Sequence, residues 1–293
     1  MKRKLAVLLG YGVVIGLAYP SGISHATTMT FYADGVIQAG DIYDIVEVYD
    51  TPPARTTVDM TGGQVDSMST FDTSVVNIGG SVGFLQTNDS STVNLSGSGF
   101  IDGGISLNNS STLNFRGGAW EADSGYLVAF DSSTLNVYDG IVGLVSGANV
   151  VIADNSTANI YGGYAQAPYV AFGSSTMNIY DGRVGTLGAG ESSVVNIYGG
   201  EIGGNWGFGV YQSATANIYG SDFQYDPQWF WDDYFGRWIS RFTGTGPDGL
   251  PIDIRDMPDP FTSPNINLIP EPATASLVGL GSLGLLRRRK VNG

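Results

Sequence analysis

The chain has 293 residues, of which 43 are glycine, and its 27 acidic and 13 basic side chains give a net charge of −14. This length and a hydrophobic content of 42% are typical of a folded protein with a substantial core. The acidity argues against nucleic-acid binding, which needs a basic surface, and the absence of cysteine excludes disulfides, thiolate metal sites and cysteine nucleophiles.

Residues 1–26 have the pattern of a secretory signal peptide. Three basic residues at positions 2–4 precede an apolar run over residues 5–18, which is shorter than the roughly 20 residues that span a bilayer. Ser24-His25-Ala26 supplies the small side chains that signal peptidase accepts. We therefore expect signal peptidase to cut after Ala26, with an uncleaved anchor helix as the alternative.

Residues 27–57 are predicted to form an N-terminal cap with a first strand, because residues 40–50 (GDIYDIVEVYD) alternate apolar and polar side chains. The repeat region follows, over residues 58–221, with copies such as SSTLNVYDG, NSTANIYGG and SSTMNIYDG. Neighbouring copies are 17 to 23 residues apart, 20 on average, a spacing typical of solenoids. The asparagines that mark the copies are Asn77, Asn94, Asn114, Asn136, Asn159, Asn178, Asn196 and Asn217.

The chemistry of each repeat indicates a β-solenoid. A polar turn precedes an alternating, β-rich stretch, and a Gly-Gly or Asp-Gly dipeptide that favours a second turn follows it. The variable spacing fits a right-handed parallel β-helix better than a strict six-residue left-handed one, and the leucine spacing of a leucine-rich horseshoe is missing. We predict an all-β, right-handed parallel β-helix of about eight coils with terminal caps, a fold that resembles pectin-lyase-like and autotransporter β-helices.

The alternation also predicts which side chains face outward. The residues flanking each asparagine, such as Leu135 and Val137, are apolar and point inward, so the asparagine and the residues two positions away point outward. Five coils then expose a tyrosine, and these rings either stabilise the sheet by stacking or contact a glycan or another surface. The tyrosines are Tyr138, Tyr161, Tyr180, Tyr198 and Tyr219.

Residues 222–269 no longer follow the repeat and are predicted to form an aromatic C-terminal cap and a tether. A solenoid's open end exposes apolar core and strand edges, so it needs a cover. A cluster that binds a ligand is the alternative for the aromatic side chains. The aromatic residues expected in the cap are Trp229, Phe230, Trp231, Phe235 and Trp238.

Residues 270–293 combine three features in order: Pro270-Glu271-Pro272, an apolar segment at 273–286, and the arginines Arg287, Arg288 and Arg289. This arrangement closely resembles the PEP-CTERM sorting signal of Gram-negative bacteria. The resemblance implies an exosortase-type protease as partner, a cut near the Pro-Glu-Pro, and delivery to the cell surface, the outer membrane or the exterior, often alongside exopolysaccharide. The segment at 273–286 is short for a permanent anchor, so we expect only transient contact with the inner membrane.

Between the two terminal signals, six arginines and no lysine stand against 26 acidic residues, which gives a net charge of −20. The single histidine, His25, lies in the signal peptide, so the body lacks Ser-His-Asp, Cys-His and histidine metal sites. Asp139 and Asp181, with Arg183 nearby, are the remaining candidates for acid–base chemistry. Both aspartates lie in Asp-Gly turns, which explains them without catalysis, and we predict a protein that is not an enzyme.

The excess of acidic residues also raises the question of calcium. Asp89, Asp131, Asp154 and Glu191 recur before the polar turn in four coils, but neither an EF-hand loop nor the nonapeptide of calcium-binding β-rolls is present. We therefore interpret them as solvated turn residues and predict no cofactor, with calcium as the weaker alternative.

These features together predict an exported, non-catalytic surface or matrix protein that acts in adhesion or in association with exopolysaccharide in a biofilm. Two alternatives belong to other functional classes. A β-helical polysaccharide lyase or hydrolase would use Asp139 and Asp181, and an ice-binding protein would use the repeated Thr-x-Asn-x-Tyr surface.

Overall fold

The computed structural model describes residues 27–122, 125–143, 148–203, 207–232, 237–258, 260–261 and 263–270. Every regular element in these ranges is a β-strand. The strands are β1 (Thr28–Phe31), β2 (Gly35–Ile37), β3 (Ile42–Val48), β4 (Thr57–Met60), β5 (Gln64–Thr70), β6 (Val75–Ile78), β7 (Ser81–Thr87), β8 (Thr92–Ile101), β9 (Ile105–Leu107), β10 (Thr112–Trp120), β11 (Tyr126–Ala129), β12 (Thr134–Val142), β13 (Asn149–Ile152), β14 (Thr157–Ile160), β15 (Tyr164–Ala171), β16 (Thr176–Ile179), β17 (Arg183–Ala189), β18 (Val194–Ile197), β19 (Gly200–Ile202), β20 (Phe208–Val210), β21 (Thr215–Asp232), β22 (Arg237–Thr245), β23 (Pro251–Arg255) and β24 (Ile266–Pro270).

Successive coils stack in parallel and in register along three faces of the solenoid. On the asparagine face, Thr112, Leu113 and Asn114 of β10 pair with Thr134, Leu135 and Asn136 of β12, and the same pattern continues through β14, β16, β18 and β21. The other two faces are built from β5, β7, β15, β17 and the shorter strands between them. About nine turns at roughly 4.8 Å per strand make a rod of about 43 Å. The predicted all-β parallel β-helix is confirmed.

The parallel stack extends past the predicted repeat region in both directions. On the N-terminal side, β2 pairs with β4 and β3 pairs with β5, so most of residues 27–57 already belongs to coils. On the C-terminal side, β23 pairs with β19 and β24 pairs with β21. These strands lack the asparagine pattern of the repeat except for Asn267, but they still place apolar side chains inward, such as Val46 and Ile254, and that is sufficient for stacking.

Alternating burial creates the core. Leu135, Val137, Ala158 and Ile160 are buried, whereas the threonines and asparagines between them are only half-buried. The inward and outward sides therefore agree with the period-two prediction. Because each coil is too small to enclose its own core, its apolar side chains depend on the coils above and below.

A continuous ladder of amide hydrogen bonds runs along the asparagine face. The Nδ2 of each asparagine donates to the Oδ1 of the equivalent residue one coil earlier, at distances of 2.6 to 3.0 Å. The first acceptor is the carboxylate of Asp59 and the last donor is Asn267 of β24. A carboxylate only accepts hydrogen bonds, so Asp59 gives all nine bonds the same direction.

The acidic residues before the polar turns form a second column. The non-glycine members have φ between 56° and 59°, a left-handed conformation that aspartate and asparagine adopt more readily than most residues. The backbone N–H of one member donates to the side chain of the next, as from Asp131 to Asp154 at 3.2 Å and from Gly173 to Glu191 at 2.8 Å. The column comprises Asp72, Asp89, Asn109, Asp131, Asp154, Gly173, Glu191 and Gln212.

Three of the aromatic residues predicted for the C-terminal cap lie on the hairpin of β21 and β22 with exposed side chains. Trp229, Phe230 and Trp238 are 39%, 54% and 47% exposed, because the hairpin of β21 and β22 continues past the body of the solenoid. Phe235 and the Trp231 side chain lie outside the described structure. Phe242, Ile252, Ile254 and Met257, from the same end of the chain, are buried in the core.

Candidate functional site

The five predicted tyrosines form one stacked ladder along the edge of the asparagine face. Consecutive rings have centroids 4.6 to 4.9 Å apart and interplanar angles of 4° to 12°. Parallel in-register strands impose this spacing, since equivalent side chains are one strand apart. At the N-terminal end, the guanidinium of Arg116 lies 4.6 Å from the centroid of the Tyr138 ring.

Stacking decides which part of each tyrosine is available. Inner rings have both faces against neighbouring rings, Arg116 covers the outer face of Tyr138, and Ile269 occupies the position next to Tyr219 in the register of β24. What the ladder presents to solvent is therefore a row of ring edges and hydroxyl groups. Burial, with a smaller contribution from neighbouring tyrosines, raises the pKa of Tyr161 and Tyr198, so these hydroxyls remain hydrogen-bond donors at neutral pH.

A cleft of about 400 Å³ lies beside the C-terminal part of this ladder. Its charged lining comes from the solenoid and from the hairpin: Asp181, Arg183 and Glu201 follow the asparagine face, whereas Arg241 and Asp253 belong to β22 and β23. Asp181 directly follows Tyr180, so the ladder continues into the cleft. We call this site the arginine cleft.

The arginine cleft is held by a network of ion pairs. Arg241 binds Asp253 through two hydrogen bonds of 3.0 Å, and this bidentate contact raises the pKa of Arg241. Arg255 lies beside the cleft, 2.7 Å from Glu201 and 3.8 Å from Asp253, and Arg183 is 3.6 Å from Glu201.

Charge in the cleft is balanced, in contrast to the strongly acidic body. Two arginines and three carboxylates line it, and Arg255 beside it supplies a third positive charge. The Nε of Arg255 is a buried donor with no hydrogen-bond partner among the described residues. Beside the cleft, the Trp229 ring lies 4.9 Å from the Arg241 guanidinium and 5.5 Å from that of Arg255. Sequence reasoning named Asp181 and Arg183 as acid–base candidates but missed their partners Glu201, Arg241 and Asp253. A further signal in the sequence was that four of the six body arginines come at or after position 183.

The predicted acid–base pair is not brought together by the fold. Asp139 and Asp181 are two coils apart, and the coil between them has Gly162 at the equivalent position. The Oδ1 of Asp139 accepts a hydrogen bond from the N–H of Gly140 at 2.7 Å, which is the turn role that the Asp-Gly dipeptide predicts.

The predicted calcium candidates lie in the turn column described above. The side chain of each candidate accepts a hydrogen bond from a backbone N–H of the preceding coil. The four acceptors are Asp89, Asp131, Asp154 and Glu191. Within the part of the chain that the structure describes, no group of three or more acidic or histidine side chains is arranged to hold a metal ion.

The sorting signal begins inside the folded solenoid. Pro270 is the last residue of β24 and pairs with Gly220 of β21, whereas Glu271, Pro272, the arginines Arg287 to Arg289 and the cleavage site at Ala26 lie outside the described residues. A comparison with protein families matches residues 268–290 to the PEP-CTERM protein-sorting motif.

The chain carries a PEP-CTERM sorting motif.

The PEP-CTERM motif indicates an exported protein that an exosortase system processes and sorts to the cell envelope. No curated protein and no solved structure matches the chain, so the predicted likeness of the repeats to autotransporter and pectin-lyase-like proteins stays a prediction. The described ranges contain no helix with the length and hydrophobicity needed to cross a bilayer, and the apolar segment at 273–286 is not among them.

Proposed function

We propose that this protein is a non-catalytic component of the cell surface or extracellular matrix, and that it associates with exopolysaccharide through the tyrosine ladder and the arginine cleft. The observation that carries the proposal is the continuity of the two features. Tyr180 is followed directly by Asp181 and Tyr198 is followed two residues later by Gly200, and both Asp181 and Gly200 line the cleft. A row of phenol hydroxyls therefore ends at a cluster of charged donors and acceptors.

The chemistry of this surface fits an uncharged polysaccharide. Guanidinium and carboxylate groups in fixed, bidentate geometry suit pairs of sugar hydroxyls, and the phenol hydroxyls add donors along the rod. A polyanionic glycan would be repelled by a body that carries a net charge of −20. Because the ring faces of the ladder are stacked on one another, hydrogen bonds rather than ring stacking would hold the sugar.

The arrangement of the carboxylates supports binding rather than catalysis. The body has no histidine or cysteine, the candidate pair Asp139 and Asp181 is split by a coil, and two of the three cleft carboxylates, Glu201 and Asp253, are paired with arginines. No specific observation favours the lyase, hydrolase or ice-binding alternatives.

Binding of purified protein to cello-oligosaccharides, a neutral galactan and polygalacturonate tests the proposal. We expect the neutral polymers to bind, and we expect Arg241→Lys and Glu201→Gln to weaken binding about tenfold each, since a good charge-assisted hydrogen bond contributes about 1.5 kcal/mol. Arg55→Lys, near the opposite end of the rod, is the matched control. If no glycan binds, or if deleting the protein leaves the bacterial surface polysaccharide unchanged, the proposal is wrong.

A further inference from the structure

The hairpin of β21 and β22 extends past the solenoid body. The two strands pair antiparallel from Ser221 with Thr245 to Asp232 with Arg237, but β23 accompanies β22 only from Arg241 to Thr245. The distal part is residues 226–232 and 237–239, which we call the aromatic arm. It leaves the rod in the last layers of the stack.

The aromatic arm exposes large rings to solvent. Phe230 is 54% exposed, Trp238 47% and Trp229 39%, and the Trp229 and Phe230 rings lie 6.2 Å apart in a tilted contact. Arg241 and Arg255 lie over the Trp229 ring and hold it in place. Exposed aromatic patches of this kind usually mark a contact surface.

The last described strand of the chain ends beside the base of this hairpin. Gly220 of β21, which lies six residues before the arm begins, pairs with Pro270 at the end of β24. Only residues 271 and 272 separate β24 from the apolar segment at 273–286, a span of about 7 Å when extended. Whatever receives that segment therefore lies beside the base of the hairpin.

We propose that the aromatic arm docks on the lipid bilayer while the sorting segment is still attached. Tryptophan and other amphipathic aromatic rings favour the headgroup region, so Trp229, Phe230 and Trp238 would hold the C-terminal end of the rod against the membrane and keep the Pro-Glu-Pro at the bilayer surface. The proposal rests on the predicted membrane contact of residues 273–286 and is tested separately from the glycan proposal, because its variants change no residue that lines the arginine cleft.

The charge of the protein selects the kind of bilayer. A body with a net charge of −20 is repelled by anionic lipids, so the arm is expected to dock on a zwitterionic surface. The attraction comes from the aromatic rings rather than from basic residues, and it should depend little on salt.

Fluorescence quenching by brominated phosphatidylcholine tests the docking with the full chain bound to vesicles. We expect part of the tryptophan emission to be quenched, and we expect Trp229→Phe with Trp238→Phe to reduce that part, because phenylalanine keeps the contact but not the fluorophore and only Trp231 then remains in the arm. The buried Trp120 is the internal reference. Quenching that is absent, or that is the same in this double variant, would overturn the proposal.

A second set of variants separates docking from simple loss of fluorophores. With a dansyl label on the lipid, energy transfer from tryptophan to the dansyl group should fall when Phe230→Ser removes the most exposed ring of the arm. The transfer should be unchanged by Tyr32→Ser, which removes a similarly exposed ring at the opposite end of the rod. Circular dichroism and the thermal midpoint verify folding. Equal transfer in the two variants would also overturn the proposal, whereas glycan binding by the Phe230→Ser variant is expected to persist.

Discussion

At the scale of single residues, the outward and inward positions have different requirements. Outward asparagines and turn acids find partners one coil away, as in the bond from Asn178 to Asn159 at 2.8 Å. Inward positions require apolar side chains. Two large aromatic residues with a polar group also lie there, and they differ in whether that group has a hydrogen-bond partner. The Nε1 of Trp120 donates to the carbonyl of Gly103 at 2.7 Å, whereas the hydroxyl of Tyr169 is buried with no hydrogen-bond partner among the described residues.

Replacing Tyr169 with phenylalanine should stabilise the protein. Burial raises the pKa of Tyr169 and leaves its hydroxyl desolvated, so its removal should increase the free energy of unfolding by about 1 kcal/mol. Urea denaturation measures the change. Trp120→Phe is the matched control and should destabilise, because it leaves the carbonyl of Gly103 without its donor. A less stable Tyr169→Phe protein would mean that the hydroxyl has a partner in solution.

Asp50 should make the first coils sensitive to acid. Burial alone would raise the pKa of Asp50, but hydrogen bonds from the N–H of Thr56 and from the N–H and hydroxyl of Thr73, together with the charge of Arg55, lower it below its usual value. A folded-state pKa below the unfolded value stabilises the fold above the unfolded pKa, and this contribution is lost as the pH falls through the folded pKa.

The Asp50→Asn variant isolates this contribution from the other carboxylates. Thermal unfolding at a series of pH values should show the variant less stable than the parent protein at pH 7, with the difference shrinking as the pH falls through the acidic range. Asp248→Asn, an exposed substitution in the turn before β23, is the control and should show no such trend. A difference independent of pH would contradict the assignment.

At the scale of elements, the strands outside the repeat close the solenoid. β24 contributes the buried Ile266 and the last amide of the asparagine ladder, Asn267, and it ends at the first residue of the Pro-Glu-Pro. An exosortase cut after Pro270 therefore leaves the ladder complete. The hairpin base packs equally closely, since a Cβ at Gly246 would lie 1.7 Å from the carbonyl oxygen of Tyr198, and only glycine fits there.

Truncation measures the contribution of β24. A chain that ends after Pro270 should unfold at a higher urea concentration than one that ends after Asn265, with a difference of about 3 kcal/mol from the burial of one isoleucine and the hydrogen bonds of the strand. Asn267→Ala should lower the stability of the longer chain by about 1 kcal/mol, because it removes one of these hydrogen bonds. Equal stability of the two truncated chains would show that β24 does not contribute to the fold.

At the scale of the whole molecule, stability comes from stacking neighbouring coils rather than from one central core. In-register pairing makes a coil an interchangeable unit, since Thr92 and Thr112 occupy equivalent positions in β8 and β10. The same repetition produces the asparagine ladder and the tyrosine ladder. Both run along the rod, so the outer surface of the exported protein carries regularly spaced side chains.

Deletion of one complete coil should therefore be tolerated. Removing residues 92–111 joins Ser91 to Thr112 at an equivalent position, so the chain should fold into a rod shorter by about 4.8 Å. Since the chain has no cysteine, spin labels at Ser90→Cys and Ser213→Cys, in equivalent turns on the two sides of the deletion, measure this distance. Removing only residues 92–101 breaks the register and should prevent cooperative folding.

Local patterns were sufficient to predict the repetitive part of this protein. The spacing of the asparagines and the period-two alternation predicted the parallel solenoid, its inward side and the stacked tyrosines, because in a solenoid the contacts of each coil repeat those of the next. The residues of the C-terminal motif, read in order, were likewise enough for the PEP-CTERM resemblance that the family comparison matches.

The non-repetitive end depended on tertiary structure. Arg183, Glu201, Arg241 and Asp253 come from separate strands, and their sequence positions carry no periodic signal, so only the folded chain shows the arginine cleft. The position of the aromatic arm could not be predicted for the same reason. Composition tells that large rings are present, but whether a hairpin folds back over the core or extends past it is decided by long-range pairing, here by β23 and β24 taking the places beside β19 and β21.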